Sequence, residues 1–360
     1  MKRIDLVVGA RPNFIKAFPV YRALERTGKF SLRLINTGQH YDDNMAAVFF
    51  EQLKMKEPDI NLGIGSGKHG EQTARILDEI EREFLSQIPD LVIVFGDVNS
   101  TLAAALAAAK LMIPVAHVEA GLRSFDRNMP EEINRVLTDQ ISNLLFVTSA
   151  DAEDNLHKEG KDKDQIYFVG NTMIDSLVGF QSLFDSIHIQ NMYGLRVKEY
   201  ILVTLHRPSN VDDPVDLEKI IVALNRVADR LPCVWPVHPR TRIKLETIST
   251  KIHHKLFLTE PLGYLEFMGL QKDAAAVITD SGGIQEESTY LRVPCFTVRD
   301  NTERPVTIER GTNRLVGTDY SKIPKSITES IFKNNNFNIP ELWDGKASER
   351  IANIVLNKLS

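Results

Sequence analysis

The sequence predicts an α/β protein made of two Rossmann-like, doubly wound domains facing a cleft. Short apolar, β-branched runs alternate with amphipathic stretches, and past the midpoint of the chain the alternation starts afresh. A parallel sheet needs such runs because helices bury both of its faces. A chain of 360 residues, 43% apolar, also exceeds one ordinary domain and has material for two cores.

In the first series the candidate strands are 4–8, 32–36, 91–95, 115–118, 144–148 and 166–169. Between them, 71–85 (EQTARILDEIEREFL) places Ala74, Ile76, Leu77, Ile80 and Phe84 on one side of a helix. The stretch 101–112 (TLAAALAAAKLM) is Ala-rich and nearly uncharged, which suits a helix packed tightly on the sheet. The second series runs through 200–204, 234–237, 255–258, 275–279, 295–298 and 314–316. The polar segment between the two series places the boundary near residue 170, giving domains 1–170 and 171–345, with an amphipathic C-terminal helix over 346–360 free to pack back on the first.

Charge and composition exclude several classes. With 43 Lys plus Arg against 48 Asp plus Glu, the net charge of -5 lacks the basic excess that nucleic acid requires. No run approaches the ~20 apolar residues that span a bilayer, so the expectation is a cytoplasmic protein with no membrane partner. Cys233 and Cys295 sit in LPCVW and VPCFTV, where a buried small hydrophobe is the natural reading. No metal site is expected: His253 and His254 are adjacent, and His206 and His238 lie on different strands without a paired acidic motif.

Polar residues crowd the strand ends: GARPNFIK (9–16), TGQH (37–40), GDVNST (96–101), HVEAGLRS (117–124), LHRPSN (205–210), VHPR (237–240) and TDSGGIQEE (279–287). Open α/β sheets bind ligands at these ends. In Asp280-Ser281-Gly282-Gly283, glycines at a helix start allow backbone N–H groups to approach an anion; an ordinary cap by Ser281 fits the same residues. Arg11 opposes the dipole of the helix it begins, a conflict an anionic ligand removes. The carboxylates Asp97, Glu119, Glu131 and Glu132, with His206, are the acid–base candidates. Asp97 and Glu119 also suit helix capping or structural pairing with Arg123 or Arg135, and Glu131, after Pro130, reads equally as part of an ordinary acidic first helical turn. The run Gly65–Gly70 (GSGKHG) has dinucleotide-motif spacing but comes after the polar EPDINLGI, and reads as a surface loop.

GARPNFIK, TGQH, GDVNSTLA, HVEAGLRS, PEEINR, GNTMIDSL, DSGGIQEE and RDNTERPVT, in this order across nearly the whole chain, resemble the non-hydrolysing UDP-N-acetylglucosamine 2-epimerases. The resemblance implies a GT-B-like fold and reversible inversion at C2 of the sugar without NAD or metal. UDP and the C2 proton leave to give a 2-acetamidoglucal, then add back with the proton on the other face. By matching motifs, Asp97, Glu119, Glu131 and His206 fall on catalytic positions. Arg11, Lys16, Ser281, Gly282 and Gly283 fall on the UDP pyrophosphate side, Glu287 on the ribose and Phe267 on the uracil. Gln39, His40, Arg75 and His238 match a region where some members bind a second UDP-sugar as activator. Asn13 stands where many members carry an acidic residue, and Asp42 where a glutamine is often used. The resemblance also implies a homodimer and a place in cell-surface polysaccharide precursor synthesis. A relative acting on UDP-2,3-diacetamido-glucuronate, a hydrolysing epimerase and a GT-B glycosyltransferase are the alternative readings.

Overall fold

The computed structural model describes residues 1–39, 53, 55–331 and 337–359. The first half alternates as β1 (Lys2–Val8), α1 (Arg11–Thr27), β2 (Phe30–Asn36), β3 (Ile60–Asn61), α2 (His69–Ser86), β4 (Leu91–Phe95) and α3 (Asn99–Lys110). It continues with β5 (Val115–Ala120), α4 (Pro130–Ile141), β6 (Leu144–Val147), α5 (Ala150–Lys158), β7 (Ile166–Phe168) and α6 (Thr172–Asp185). Its strands form one seven-stranded sheet in the order β3-β2-β1-β4-β5-β6-β7, paired in parallel throughout. β4 and β6 are buried along their whole length, as a sheet covered on both faces requires.

The second half runs β8 (Ile201–Thr204), α7 (Pro208–Val211), α8 (Pro214–Ala228), β9 (Cys233–Pro236), α9 (Pro239–Leu245), β10 (Leu256–Thr259) and α10 (Tyr264–Asp273). Then come β11 (Ala276–Thr279), α11 (Gly282–Tyr290), β12 (Cys295–Thr297), α12 (Val306–Glu309), β13 (Asn313–Leu315), α13 (Ile323–Ile331) and α14 (Ala347–Leu359). Its six strands are also parallel, in the order β10-β9-β8-β11-β12-β13. The strand order reverses between β1 and β4 in one sheet and between β8 and β11 in the other. At such a reversal the loops leaving neighbouring strands turn to opposite sides and leave a crevice at the carboxyl ends.

The chain divides into two compact units: Met1–Gly179 with Glu341–Ser360, and Phe180–Pro340. In the first unit, Ala103, Ala104, Ala105, Ala107 and Ala108 of α3 are all buried, and the small side chains bring α3 close to the sheet and to α2 and α4. In the second unit, Trp235 and Phe296 anchor one core layer and Tyr200 and Leu270 the other. Cys233 and Cys295 are buried free thiols, and burial pushes each up to about 12.

Two local expectations are corrected. The buried stripe of α2 is Gln72, Ile76, Ile80 and Phe84, an i, i+4 series, while Ala74 is exposed. Gln72 tolerates burial because it donates to the carbonyls of Gln39 and Gly65 at 3.1 and 2.8 Å. The polar stretch ahead of Gly65 also contains a strand: β3 adds to the edge beside β2, where one face of two residues needs no apolar run.

The last helix belongs to the first unit. α14 packs on α1, and its first turn is held by Asp175, whose carboxylate accepts from the Ala347 and Ser348 N–H groups at 3.1 and 2.6 Å. Trp343 Nε1 donates to the Thr148 carbonyl at 2.9 Å just before it. Asp175→Ala leaves two helix N–H groups without their acceptor in a buried setting. We expect a loss of about 1–3 kcal/mol, read as a lower urea midpoint for the whole chain.

Candidate active site

In the first unit the two strands at the reversal end side by side, with Val7 paired to Val94. Gly9-Ala10-Arg11 lie just beyond the end of β1, and Gly96-Asp97 just beyond the end of β4. Asn13 ties them together: its Oδ1 accepts from the Gly9 and Ala10 N–H groups at 3.3 and 3.2 Å, and its Nδ2 donates to the Phe95 carbonyl at 3.0 Å. Ala10, the N-cap of α1, has no side-chain oxygen, so Asn13 at the third helical position does the capping from inside. Asn13 is therefore a buried brace between strand ends.

Around this brace the carboxylates are paired with cations. Lys16, one turn into α1 and 6% exposed, makes an ion pair with Glu119 of β5, which is 2% exposed. Sequence pairing had offered Arg123 or Arg135 to Glu119. Arg123 instead reaches Asp139 and Glu159, at 2.6 Å each, and Arg135 pairs with Asp97 and, at 2.8 Å, with Glu132. Lys16 wins because α1 lies directly over the strand ends, whereas Arg123 has already left on the next loop. Between the two carboxylates sits Gly96, at φ 65°. A Cβ there would come within 3.2 Å of Glu119 Oε2 and 3.4 Å of Lys16 Nζ, so both backbone conformation and space call for glycine.

Glu131, in the first turn of α4, is half-buried, and Pro130 ahead of it occupies the position where a missing N–H costs nothing. Asn134 of the same helix donates to the Asp97 carbonyl at 2.9 Å and to Asn99 Oδ1 at 3.2 Å. Glu132 accepts from the Ser124 and Phe125 N–H groups at 2.9 Å each. Burial pushes the Glu132 carboxyl up, but those hydrogen bonds and Arg135 outweigh it and hold the group below the usual carboxylate range. Arg11, at the helix start, is exposed.

Sequence reading missed a network behind this cluster. His117 in β5 is fully buried, with Nδ1 2.6 Å from Asp139 Oδ1 and Nε2 2.7 Å from the Gly96 carbonyl oxygen. Asp139 also accepts from the Gly121 N–H at 3.0 Å. A histidine inside an apolar strand looks like core, and its partners lie far along the chain; only the i, i+4 step from Arg135 to Asp139 on one helix face hinted at them.

The second unit repeats the arrangement at its own reversal. Asp280, fully buried after β11, accepts from the backbone N–H groups of His206 and Arg207 after β8, at 3.0 and 2.9 Å, and from Asn210 Nδ2 at 3.0 Å. His206 Nδ1 lies 3.0 Å from Asp280 Oδ1, with half of its side chain open. Burial raises the Asp280 carboxyl, but His206, Asn210 and the Arg207 N–H hold it below the usual range.

Ser281 caps α11 by backbone alone: its hydroxyl makes no cap hydrogen bond, so the ordinary-cap reading of these residues does not hold. The Ser281 N–H donates to Thr279 Oγ1 at 3.0 Å, and the half-buried Gly282 and Gly283 that follow bring their backbone N–H groups and the positive end of the helix dipole to one place. A Cβ on Gly282 would lie 2.5 Å from Arg304 Nη1 and 2.7 Å from Glu303 Oε1. Arg304 pairs with Glu286 at 2.9 Å and with Glu303, placing a cation beside the helix start that motif reading had left unassigned. Glu287, one turn further, is buried and accepts from Tyr264 Oη at 3.4 Å. Phe267 of α10 packs, half-buried, against the core layer of Tyr200 and Leu270.

Of the four residues matched to an activator region, Gln39 and Arg75 belong to the first unit and His238 to the second. Gln39 is buried and accepts from Ser100 N–H and Oγ at 2.9 and 2.7 Å, serving the first turn of α3. Arg75 donates to the Ile64 carbonyl at 2.5 Å. His238, in the other unit, is the exposed N-cap of α9, accepting from Arg240 N–H at 3.3 Å. His40 and Asp42 lie outside the described residues.

Two Rossmann-like parallel sheets, each carrying charged groups at its strand reversal, define a GT-B-like α/β enzyme. Residues 22–356 match the family model described as UDP-N-acetylglucosamine 2-epimerase. Relatives at 44% identity include two with different substrates in their names. One is the UDP-N-acetylglucosamine 2-epimerase of Methanocaldococcus jannaschii, with 98% of each chain covered. The other is the UDP-2,3-diacetamido-2,3-dideoxy-D-glucuronate 2-epimerase of Pseudomonas aeruginosa, covering 97% of this chain and 98% of the relative. A crystal structure of the M. jannaschii UDP-GlcNAc 2-epimerase in complex with UDP-GlcNAc and UDP matches at a TM-score of 0.90 and 44% identity over 99% of both chains. The chain belongs to the UDP-N-acetylglucosamine 2-epimerase family, the non-hydrolysing isomerases of UDP-sugars, as its motifs had indicated.

Among the described residues no helix is long and apolar enough to cross a membrane.

Asp139 yields a test of how firmly this region depends on ion pairing. Burial opposes its ionisation, but His117 and then Arg123 overcome that and depress its pKa. A depressed carboxylate contributes stability that is complete above its unfolded value of about 3.9 and is lost as pH falls through the lower folded value. Asp139→Asn should therefore cost about 3–5 kcal/mol at neutral pH. The gap from wild type should close only below about pH 4, read by urea titrations across the acid range.

Proposed function

We propose that this chain interconverts UDP-N-acetylglucosamine and UDP-N-acetylmannosamine by eliminating UDP to a 2-acetamidoglucal and adding it back, supplying cell-surface polysaccharide precursors. The observation that carries the reading is at the first reversal: Asp97 and Glu119, each cation-paired, flank Gly96, whose missing Cβ leaves space for the Lys16–Glu119 pair, and Glu131 stands in the first turn of the helix whose Asn134 holds the Asp97 carbonyl. Inverting C2 requires proton handling on both faces of the sugar, which needs more than one acid–base group. The C2 proton is weakly acidic, so departure of UDP must be assisted by donors on the pyrophosphate.

In this reading Asp97, Glu119, Glu131 and His206 handle protons and leaving-group charge. Arg11, Lys16, Ser281, Gly282 and Gly283 bind the diphosphate, Glu287 the ribose and Phe267 the uracil. The start of α11, without a side-chain cap, supports the diphosphate site, since its N–H groups are left for a ligand. The enzyme works in the cytoplasm as a homodimer, and a second UDP-sugar at Gln39, His40, Arg75 and His238 acts as activator.

One relative favours a second reading. The P. aeruginosa 2-epimerase of UDP-2,3-diacetamido-glucuronate is as similar as the UDP-N-acetylglucosamine enzyme of M. jannaschii. A panel of UDP-2-acetamido sugars in deuterated water, monitored by NMR, separates the two. The true substrate gains deuterium at C2 and keeps its UDP bond, whereas stoichiometric UDP release with free sugar would mark a hydrolase. Glu119→Gln and Glu131→Gln should each slow exchange by about 10²–10⁴, and Glu131→Gln, which leaves the Lys16–Glu119 pair intact, should keep UDP affinity, measured by calorimetry, within about threefold, below the cost of one lost hydrogen bond. Exchange at the wild-type rate in both variants would overturn the assignment of these carboxylates.

A further inference from the structure

We propose that His117 is a positioning residue: as an imidazolium donating from both ring nitrogens, it clamps the Gly96 carbonyl and so sets the direction of the Asp97 carboxylate. This deepens the proposed function and rests on Asp97 being one of its proton-handling groups.

The two neighbours of the ring dictate its protonation. Nδ1 faces a carboxylate oxygen of Asp139 at 2.6 Å and Nε2 faces the Gly96 carbonyl oxygen at 2.7 Å. Both partners are pure acceptors. A neutral ring has one N–H and one lone pair, so whichever tautomer it took would aim a lone pair at an oxygen within hydrogen-bond distance. Only the doubly protonated ring satisfies both contacts, and at full burial an unsatisfied contact is costly. Charge agrees. Asp139 also meets Arg123, and Arg123 meets Glu159, so with a charged ring the network holds two cations and two anions.

Asp97 is affected through the peptide that the ring grips. Gly96 is held on both sides: its N–H, in the peptide before it, donates to the Val118 carbonyl at 3.0 Å, and its carbonyl, in the peptide that leads to Asp97, accepts from His117. The next carbonyl, that of Asp97, is held by Asn134, and the Asp97 carboxylate by Arg135. Gly96 lies between Asp97 and the Lys16–Glu119 pair, so a rotation of its peptide would move one carboxylate relative to the other. Without the ring, the glycine has no side chain to resist that rotation.

The whole protein, labelled with 15N-histidine, gives the first test without substrate. The His117 ring should show the two nearly equal nitrogen shifts of an imidazolium and a coupling across the hydrogen bond from Nε2 to the Gly96 carbonyl carbon. The split shifts of a neutral tautomer would overturn the proposal. In His117→Gln, which keeps one donor, the Asp97 backbone amide resonance should move. The kcat for C2 exchange should fall about tenfold to hundredfold, with KM within about twofold because the diphosphate groups are assigned elsewhere. A folded His117→Gln with an unmoved Asp97 amide and wild-type kcat would sink the idea. Should the wild-type enzyme exchange C2 in no UDP-2-acetamido sugar, the proposed function fails. The ring shifts and the Asp97 amide would still decide the clamp.

Discussion

Burial of both sheets on both faces is the constraint on which the remaining structure depends. A parallel strand covered by helices has no solvent-facing side on which to place a polar group, so charge gathers at strand ends and at the helix starts beyond them, and the buried mid-strand Asp5 of β1 is paired with Arg33 of β2 at 2.5 Å. Within each unit the strand order reverses once, and there two ends lie adjacent with their loops diverging. Asn13 at one reversal and Asp280 at the other perform the same task, joining the ends of neighbouring strands through hydrogen bonds to backbone groups. Asp97 and His206 stand beside these braces, so their placement is inherited from the sheet rather than from loop packing.

The ionic groups near the first reversal show how such a cluster tolerates burial. Each buried carboxylate described there, and half-buried Asp97, has a cationic neighbour: Lys16 for Glu119, Arg135 for Asp97 and Glu132, Arg123 and His117 for Asp139. Pairs of this kind add little net stability relative to apolar residues, yet removing one partner is expensive. Half-buried Glu131 is not in these pairs, although it lies one turn before Arg135 on the α4 face that Arg135 and Asp139 share.

Much of the fold was legible because a buried parallel strand writes itself as an apolar run: 91–95 coincides with β4, and the tandem series of strands anticipated the two sheets. What stayed hidden had identifiable causes. β3 is a two-residue edge strand with no apolar signature, and Gln72 occupies a helix stripe where an apolar residue would ordinarily read. The partner of Glu119 could not be read because Lys16 is 103 residues away in the chain, while Arg123 and Arg135 stood much nearer. His117 looked like core because, by burial, it is core; its chemistry lies in two acceptors contributed by a strand end and a helix. Family membership came from motif order, which spacing and periodicity alone do not supply.

The tie between Asp175 and the start of α14 has a bearing on biosynthesis. Residues 341–360 belong to the first unit, although the whole second unit, Phe180–Pro340, intervenes in the chain. On the ribosome, the second unit is therefore fully made while the first still waits for the helix that covers α1. Domains ordinarily fold as units in the order they emerge; here the unit begun first is finished last. Until α14 arrives, the apolar face of α1 and the carboxylate of Asp175 are exposed on the nascent chain. That interval is when this protein depends most on whatever shields unfinished chains.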